Sequence, residues 1–209
     1  MTAFDQTIRS FVTAAASDSP TPGGGSVAAL VAALGASMTS MVGNLTQGAK
    51  FADYEAEMKQ AVATMSDAIG RFETLLEQDM ETFDRYMQAL KLPKDTDERK
   101  SARSEALRQA GLHATEVPLA LAKLCRDSLN ASQVIADTAN KNVISDLGIA
   151  ALLLESAAQS ALLTVDMNLA GMKDSERRTA FETERNAIAQ EIVEVKDAVV
   201  ITVRRRLFA

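Results

Sequence analysis

The chain has one cysteine, Cys125, and one histidine, His113, in 209 residues. A lone cysteine excludes an internal disulfide and fits a reducing compartment. One histidine beside one cysteine cannot build a zinc site of the usual His/Cys kind, and no carboxylate spacing asks for another metal. Four prolines and the lack of any Gly/Pro/Ser-rich tract argue against a long linker or low-complexity tail. Basic residues are also short, 22 against 28 acidic, for a net charge of −6. A global attraction to nucleic acid is therefore not expected, and an anionic ligand has to be met by a locally basic or backbone-donor site. The N-terminal MTAFDQTIRSF has no basic region followed by an apolar core, so no signal peptide is expected. These features together predict a cytoplasmic protein.

Hydrophobic residues make up 47% of the chain, enough to offset the entropy of ordering it. The length suits one domain over 1–209. The segment from Gly23 to Ala49 is uncharged and long enough to raise the question of a membrane span. Its Ala, Gly, Ser and Thr content, closed by Asn44 and Gln47, reads better as a buried helix, so no membrane is expected as a partner.

No stretch alternates like a strand, and the apolar spacings are helical. The pattern predicts an all-α bundle of about six helices: Thr2–Ala16, Ser26–Gln47, a long third helix Asp53–Leu90, a fourth from Thr96 to about Leu129, bent or broken at Pro118, a fifth over Ser145–Met172, and a sixth from Ser175 to near the end. In the third, Met58, Val62, Met65, Ile69, Phe72 and Leu76 alternate in steps of four and three, and the rhythm continues through Asp79, Phe83, Tyr86 and Leu90. Asp79 thus occupies a seam position where packing alone would choose an apolar side chain. Either it merely flanks a wide stripe, or it is a partly buried carboxylate whose ionised form is disfavoured, which is how a proton-transfer group is made.

The sequence Ser19-Pro-Thr-Pro-Gly-Gly-Gly-Ser26 precedes the small-residue helix. Three glycines allow close backbone approach, and a helix start presents unpaired N–H donors. No Gly-Lys-Ser/Thr follows, so it is not a P-loop, and no strand precedes it, so it is not a dinucleotide fingerprint. A tight connection and a binding loop both remain open. His113 has no triad partner in view. Cys125, in an apolar helical segment, reads as core.

With SPTPGGGS at 19–26, MVGNLTQGAK at 41–50, EQDMETF around Asp79, LKLPK at 90–94, the Arg103 region, EVPLA at 116–120 and NKNVISDLGIAA at 140–151, in that order, the chain resembles the cyclodeaminase/cyclohydrolase family of folate enzymes. The resemblance implies an all-helical homodimer or higher homo-oligomer acting on a tetrahydrofolate derivative without a redox cofactor. It implies hydrolysis of 5,10-methenyltetrahydrofolate to 10-formyltetrahydrofolate, the alternatives being formimidoyltetrahydrofolate cyclodeamination with release of ammonia and a non-catalytic folate-binding or assembly module. The lack of room for an attached transferase domain favours hydrolysis.

Both reactions need a proton acceptor and a donor at the one-carbon bridge, and with His and Cys scarce the role falls to carboxylates. Asp79 is the first candidate. Asp146, after Asn140, Asn142 and Ser145 at a helix start, is the second, with helix capping as its competing role. Gly23, Gly24, Gly25, Ser26 and Asn44 are candidate substrate contacts. Asn140 and Asn142 either bond pterin nitrogens or close a turn. Lys50, Lys94 and Arg103 either meet the glutamate tail or are solvated charges. Two departures from the family pattern stand out: Thr164-Val165 where Asn-Val is common before a further asparagine (here Asn168), and Lys50 without neighbouring lysines.

Overall fold

The computed structural model describes residues 2–209, and among them there are helices and turns but no strand. Six α-helices follow one another: α1 Ile8–Ala15, α2 Gly24–Asn44, α3 Glu55–Lys91, α4 Asp97–Val134, α5 Ile144–Ala170 and α6 Ser175–Phe208, with short 3-10 turns at Ala3–Asp5, Ala49–Tyr54 and Lys141–Val143. The bundle is all-α, as the spacings predict, and five of the six helices lie within a few residues of their expected bounds.

The first helix differs. Thr2–Ala16 is not continuous, because the Thr7 side chain accepts from the backbone N–H of Ser10 and starts a new helix. Before it, Asp5 accepts from the Thr2 N–H and closes a separate 3-10 turn. A hydroxyl acceptor at the right offset competes with helix continuation.

Of the bend or break expected at Pro118, a break does not occur: α4 runs through it. A proline has no N–H for the carbonyl of the residue four before it, here Ala114. That carbonyl instead accepts from the side-chain amide of Asn168 on α5. A neighbouring helix supplies the donor the proline lacks, so α4 need not end. Asn168→Ala is expected to cost about 1–3 kcal/mol, the penalty of an unpaired polar group, read as a lower urea midpoint. An unchanged midpoint would mean that water replaces the amide.

One hydrophobic core runs through the body, with α2 at its centre against α3 and α5. α2 is built of small residues, and Ala28, Ala32, Ala36 and Gly43 are buried along it. A methyl group on Gly35 would stand 2.9 Å from Leu154 Cγ and 3.2 Å from the Ala150 carbonyl, so only glycine lets α5 come this close. α2 and the stretch Lys141–Ala170 are each long and apolar enough to cross a membrane. Here much of both lies in the core, which accounts for their composition.

α3 follows its predicted seam only as far as the body extends. Met58, Met65, Phe72 and Leu76 are fully buried, whereas Tyr86 and Leu90 are exposed. Between Glu77 and Gln109 only Thr82 and Ala89 are buried, so the end of α3 and the start of α4 form a projecting helical hairpin. Asp79 stands where α3 leaves the core.

Candidate active site

α2 begins at Gly24 with Gly23 as its N-cap, and glycine has no side chain with which to accept from the first-turn N–H groups. Asp79 of α3 stands at this end. The Ser26 hydroxyl donates to Asp79 Oδ2 at 2.7 Å, and the Ser26 backbone also favours the charged carboxylate. The chain comes this close because residue 25 is glycine: a Cβ there would lie 2.2 Å from Asp79 Oδ1 and 2.6 Å from its Cγ. The glycine motif and the polar residue in the apolar seam, 53 positions apart, are therefore one structural feature.

Burial pushes the Asp79 pKa above the usual carboxylate value, and the two Ser26 hydrogen bonds pull the other way. The net result is a carboxylate more basic than an exposed one yet held in one orientation. A helix start stabilises it as an anion, so Asp79 can accept a proton and return it.

The remaining candidates divide into three places. Gly23 and Gly24 immediately precede Gly25, the residue that meets Asp79, at the start of α2. Gly24 opens onto a groove between α2 and α5 that is lined by Val27, Val31, Ser160, Thr164 and Met167. Thr164, the first departure from the family pattern, spends its hydroxyl on the Ser160 carbonyl.

A second group lies at the opposite end of α2, which spans about 30 Å at the helical rise. Asn44 edges a shallow groove with Ser40 and Ile69. The Asn140 amide donates to the Leu45 carbonyl at 3.0 Å and accepts from the Asn142 N–H at 3.1 Å, while its own N–H donates to Thr46 Oγ1 at 2.9 Å. Asn140 thus closes the turn and ties α5 to the end of α2, and Asn142 is exposed. Lys50 is exposed, with its ammonium 5.5 Å from the centre of the Phe51 ring.

Asp146 is half-buried in the first turn of α5, whose N-cap residue, Val143, has no side-chain acceptor. A carboxylate there favours the helix through its dipole without capping it. Since α5 runs antiparallel to α2, with Ala150 beside Gly35 and Asn140 beside Leu45, Asp146 is separated from Asp79 by roughly 15 Å or more of helix axis. Within one chain the two carboxylates are therefore not neighbours.

The third place is the projecting hairpin. Lys94 is exposed at its tip. The Arg103 guanidinium donates twice to the Leu90 carbonyl, at 3.3 and 3.2 Å, and so closes the end of α3. Cys125 is fully buried, with its thiol pKa pushed far up, and the exposed His113 ring bonds Glu116 Oε2 at 3.1 Å. Among the described residues no cluster of His, Cys, Asp or Glu is arranged to hold a metal.

Asn140 takes the second of its two expected roles, closing the turn. The engagement of Asn168 and Arg103 with backbone carbonyls is not expected from the sequence; Pro118 is the available signal for Asn168, since an internal proline leaves a known acceptor unpaired.

The formiminotransferase-cyclodeaminase family model matches residues 7–187. The chain is 42% identical over 183 residues to the methenyltetrahydrofolate cyclohydrolase of Methylorubrum extorquens, covering 87% of this chain and 86% of that protein. It is 36% identical over 185 residues to the formimidoyltransferase-cyclodeaminase of Sus scrofa, covering 88% of this chain but 34% of that protein. The crystal structure of the formiminotetrahydrofolate cyclodeaminase of Thermotoga maritima superposes with a TM-score of 0.88 at 27% identity, over 97% of this chain and 98% of that one. By the family match, the identities and the shared architecture, the chain belongs to the formiminotransferase-cyclodeaminase family.

Proposed function

We propose that this protein is a methenyltetrahydrofolate cyclohydrolase, with Asp79 as the proton acceptor. The observation that carries the chemistry is the oriented, half-buried carboxylate at the start of α2. Water adds to the methenyl carbon of the cationic N5–N10 bridge while Asp79 takes one of its protons. The C–N5 bond of the resulting tetrahedral carbon then breaks as its hydroxyl oxygen gives up a proton to solvent and becomes the formyl C=O, N5 takes up the proton held by Asp79, and the formyl group remains on N10. Proton transfer to and from a placed carboxylate suffices, and this reading calls for no cofactor.

The likeness to the Methylorubrum cyclohydrolase along most of both chains favours hydrolysis over deamination. Chain length does not discriminate, because the Thermotoga cyclodeaminase has nearly the same extent. Formimidoyltetrahydrofolate cyclodeamination is therefore the second reading, and it uses the same carboxylate while N10 closes on the formimino carbon.

In the same reading the enzyme is a cytoplasmic homodimer. Val27 and Leu34 of α2 and Ile149, Leu152, Leu163 and Met167 of α5 are exposed, Leu163 by 68% and Met167 by 79%. A second copy that covers this face supplies the apolar burial, and it offers a route by which the Asn140–Asp146 end of one chain reaches the Asp79 end of another.

Purified protein offered both substrates separates the readings. The expected result is loss of added methenyltetrahydrofolate absorbance faster than in buffer. Methenyl product and ammonia from the formimino compound would instead establish the deaminase, and binding without either turnover would leave a folate-binding module.

A further inference from the structure

We infer that Ser26 is a positioning residue for the reaction, acting through Asp79 and not through the substrate; the inference rests on the reading of Asp79 as the proton acceptor. Ser26 has 0% exposure, so a ligand cannot reach its hydroxyl. Ser26 lies in the first turn of α2, where the residue four before it, Pro22, is outside the helix, so no helical carbonyl competes for its hydroxyl. It sends its only O–H across to α3, at 2.7 Å from Asp79 Oδ2.

A buried hydroxyl donated across the bundle holds one oxygen of that carboxylate in place. With Oδ2 held by Ser26, Oδ1 is the oxygen left to take the proton. It is also the oxygen that a Cβ at position 25 would meet first, so the space beside it is kept by glycine. The family motif's serine therefore belongs with the catalytic carboxylate, while the exposed Gly24 is the member of the loop that a ligand can touch.

The test is a double-mutant cycle on the full chain, with kcat and KM read for Ser26→Ala, Asp79→Asn and the pair. Ser26→Ala is expected to lower kcat about 10-fold, the scale of a lost hydrogen bond to a charged group, with KM unchanged. In the Asp79→Asn background the same change is expected to cost nothing further, and Ser26→Thr, which keeps the hydroxyl, to restore more of kcat than Ser26→Ala retains. If Ser26→Ala does not fold, Ser26→Cys, a weaker donor of similar size, takes its place in the cycle. An effect on KM alone, an equal further loss in the Asp79→Asn background, or no effect at all overturns the inference and leaves Asp79 as the base. Full turnover by Asp79→Asn alone overturns the reading of Asp79, and this inference with it.

Discussion

Asp79→Asn is expected to fold as the parent does, to melt at a higher temperature near neutral pH, and to lose about 10²-fold or more of its turnover, the usual scale for a positioned acid or base. The amide keeps the shape and still accepts the Ser26 hydroxyl through its oxygen, so the contact between α2 and α3 survives. It cannot take up a proton. The gain in stability follows from burial, which raises the Asp79 pKa in the folded chain against the two Ser26 bonds that lower it. A carboxyl whose pKa is higher folded than unfolded stabilises fully below its unfolded pKa. That contribution is lost as pH rises through the folded value, so near neutrality the ionised group costs stability.

The stabilisation by Asn should therefore shrink in acid, where the parent's Asp79 is itself protonated. Parent turnover should fall on the acid side as Asp79 loses its anionic form. Melts at neutral and acid pH together with a pH–rate profile check all three expectations. Asp146→Asn is the matched comparison: if the only task of Asp146 is to favour the start of α5, turnover should stay within a few-fold of the parent. If both variants remain active and folded, the proton moves through another group.

Gly25→Ala should be nearly as damaging as loss of Asp79 itself, whereas Gly24→Ala should stay within a few-fold. The difference is geometric. A Cβ on residue 25 would stand 2.2, 2.6 and 2.9 Å from Oδ1, Cγ and Oδ2 of Asp79, while one on residue 24 has no atom within 4 Å. All three carboxyl atoms are too close, so a methyl group must swing the carboxylate off the Ser26 hydroxyl or push α3 away from α2. The overpacking cost is about 1–3 kcal/mol, and the displaced base accounts for the loss of rate. Valine at position 24 narrows the groove along Val27 and Thr164 and should weaken folate binding or assembly more than it lowers helix content. Turnover, urea midpoints and sedimentation of these variants separate the effects. A fully active, folded Gly25→Ala would show that the position of Asp79 does not matter to the reaction.

The helices were legible in the sequence because helical order is local. Met58, Met65, Phe72 and Leu76 recur at intervals that place them on one face of one helix, although Tyr86 and Leu90 on the same rhythm are exposed where the body ends. The anomaly of Asp79 was legible for the same reason, as a carboxylate in a stripe that packing would fill with carbon. The expected break at Pro118 failed because the partner of its unpaired carbonyl is Asn168, on another helix, and no local rule reports it.

The split of the first helix has a different cause. Thr7 could either continue a helix or cap one, and the choice between them lies in small differences of side-chain hydrogen bonding.

The amino-acid sequence by itself determined the all-α class, the long third helix, the scarcity of His and Cys that leaves acid–base work to carboxylates, and two separate oddities, a glycine motif and a polar residue in an apolar seam. Only the tertiary structure decided that these two are one site, because the Ser26–Asp79 contact crosses 53 residues and depends on how α2 packs on α3. It also set Asp146 and Asn140 at the far end of α2 and turned Arg103 onto the Leu90 carbonyl. Periodicity assigns a residue to a face of its own helix, whereas its partner across the bundle depends on crossing geometry, on small residues such as Gly35 that set how near two helices come, and on which backbone groups are left unpaired.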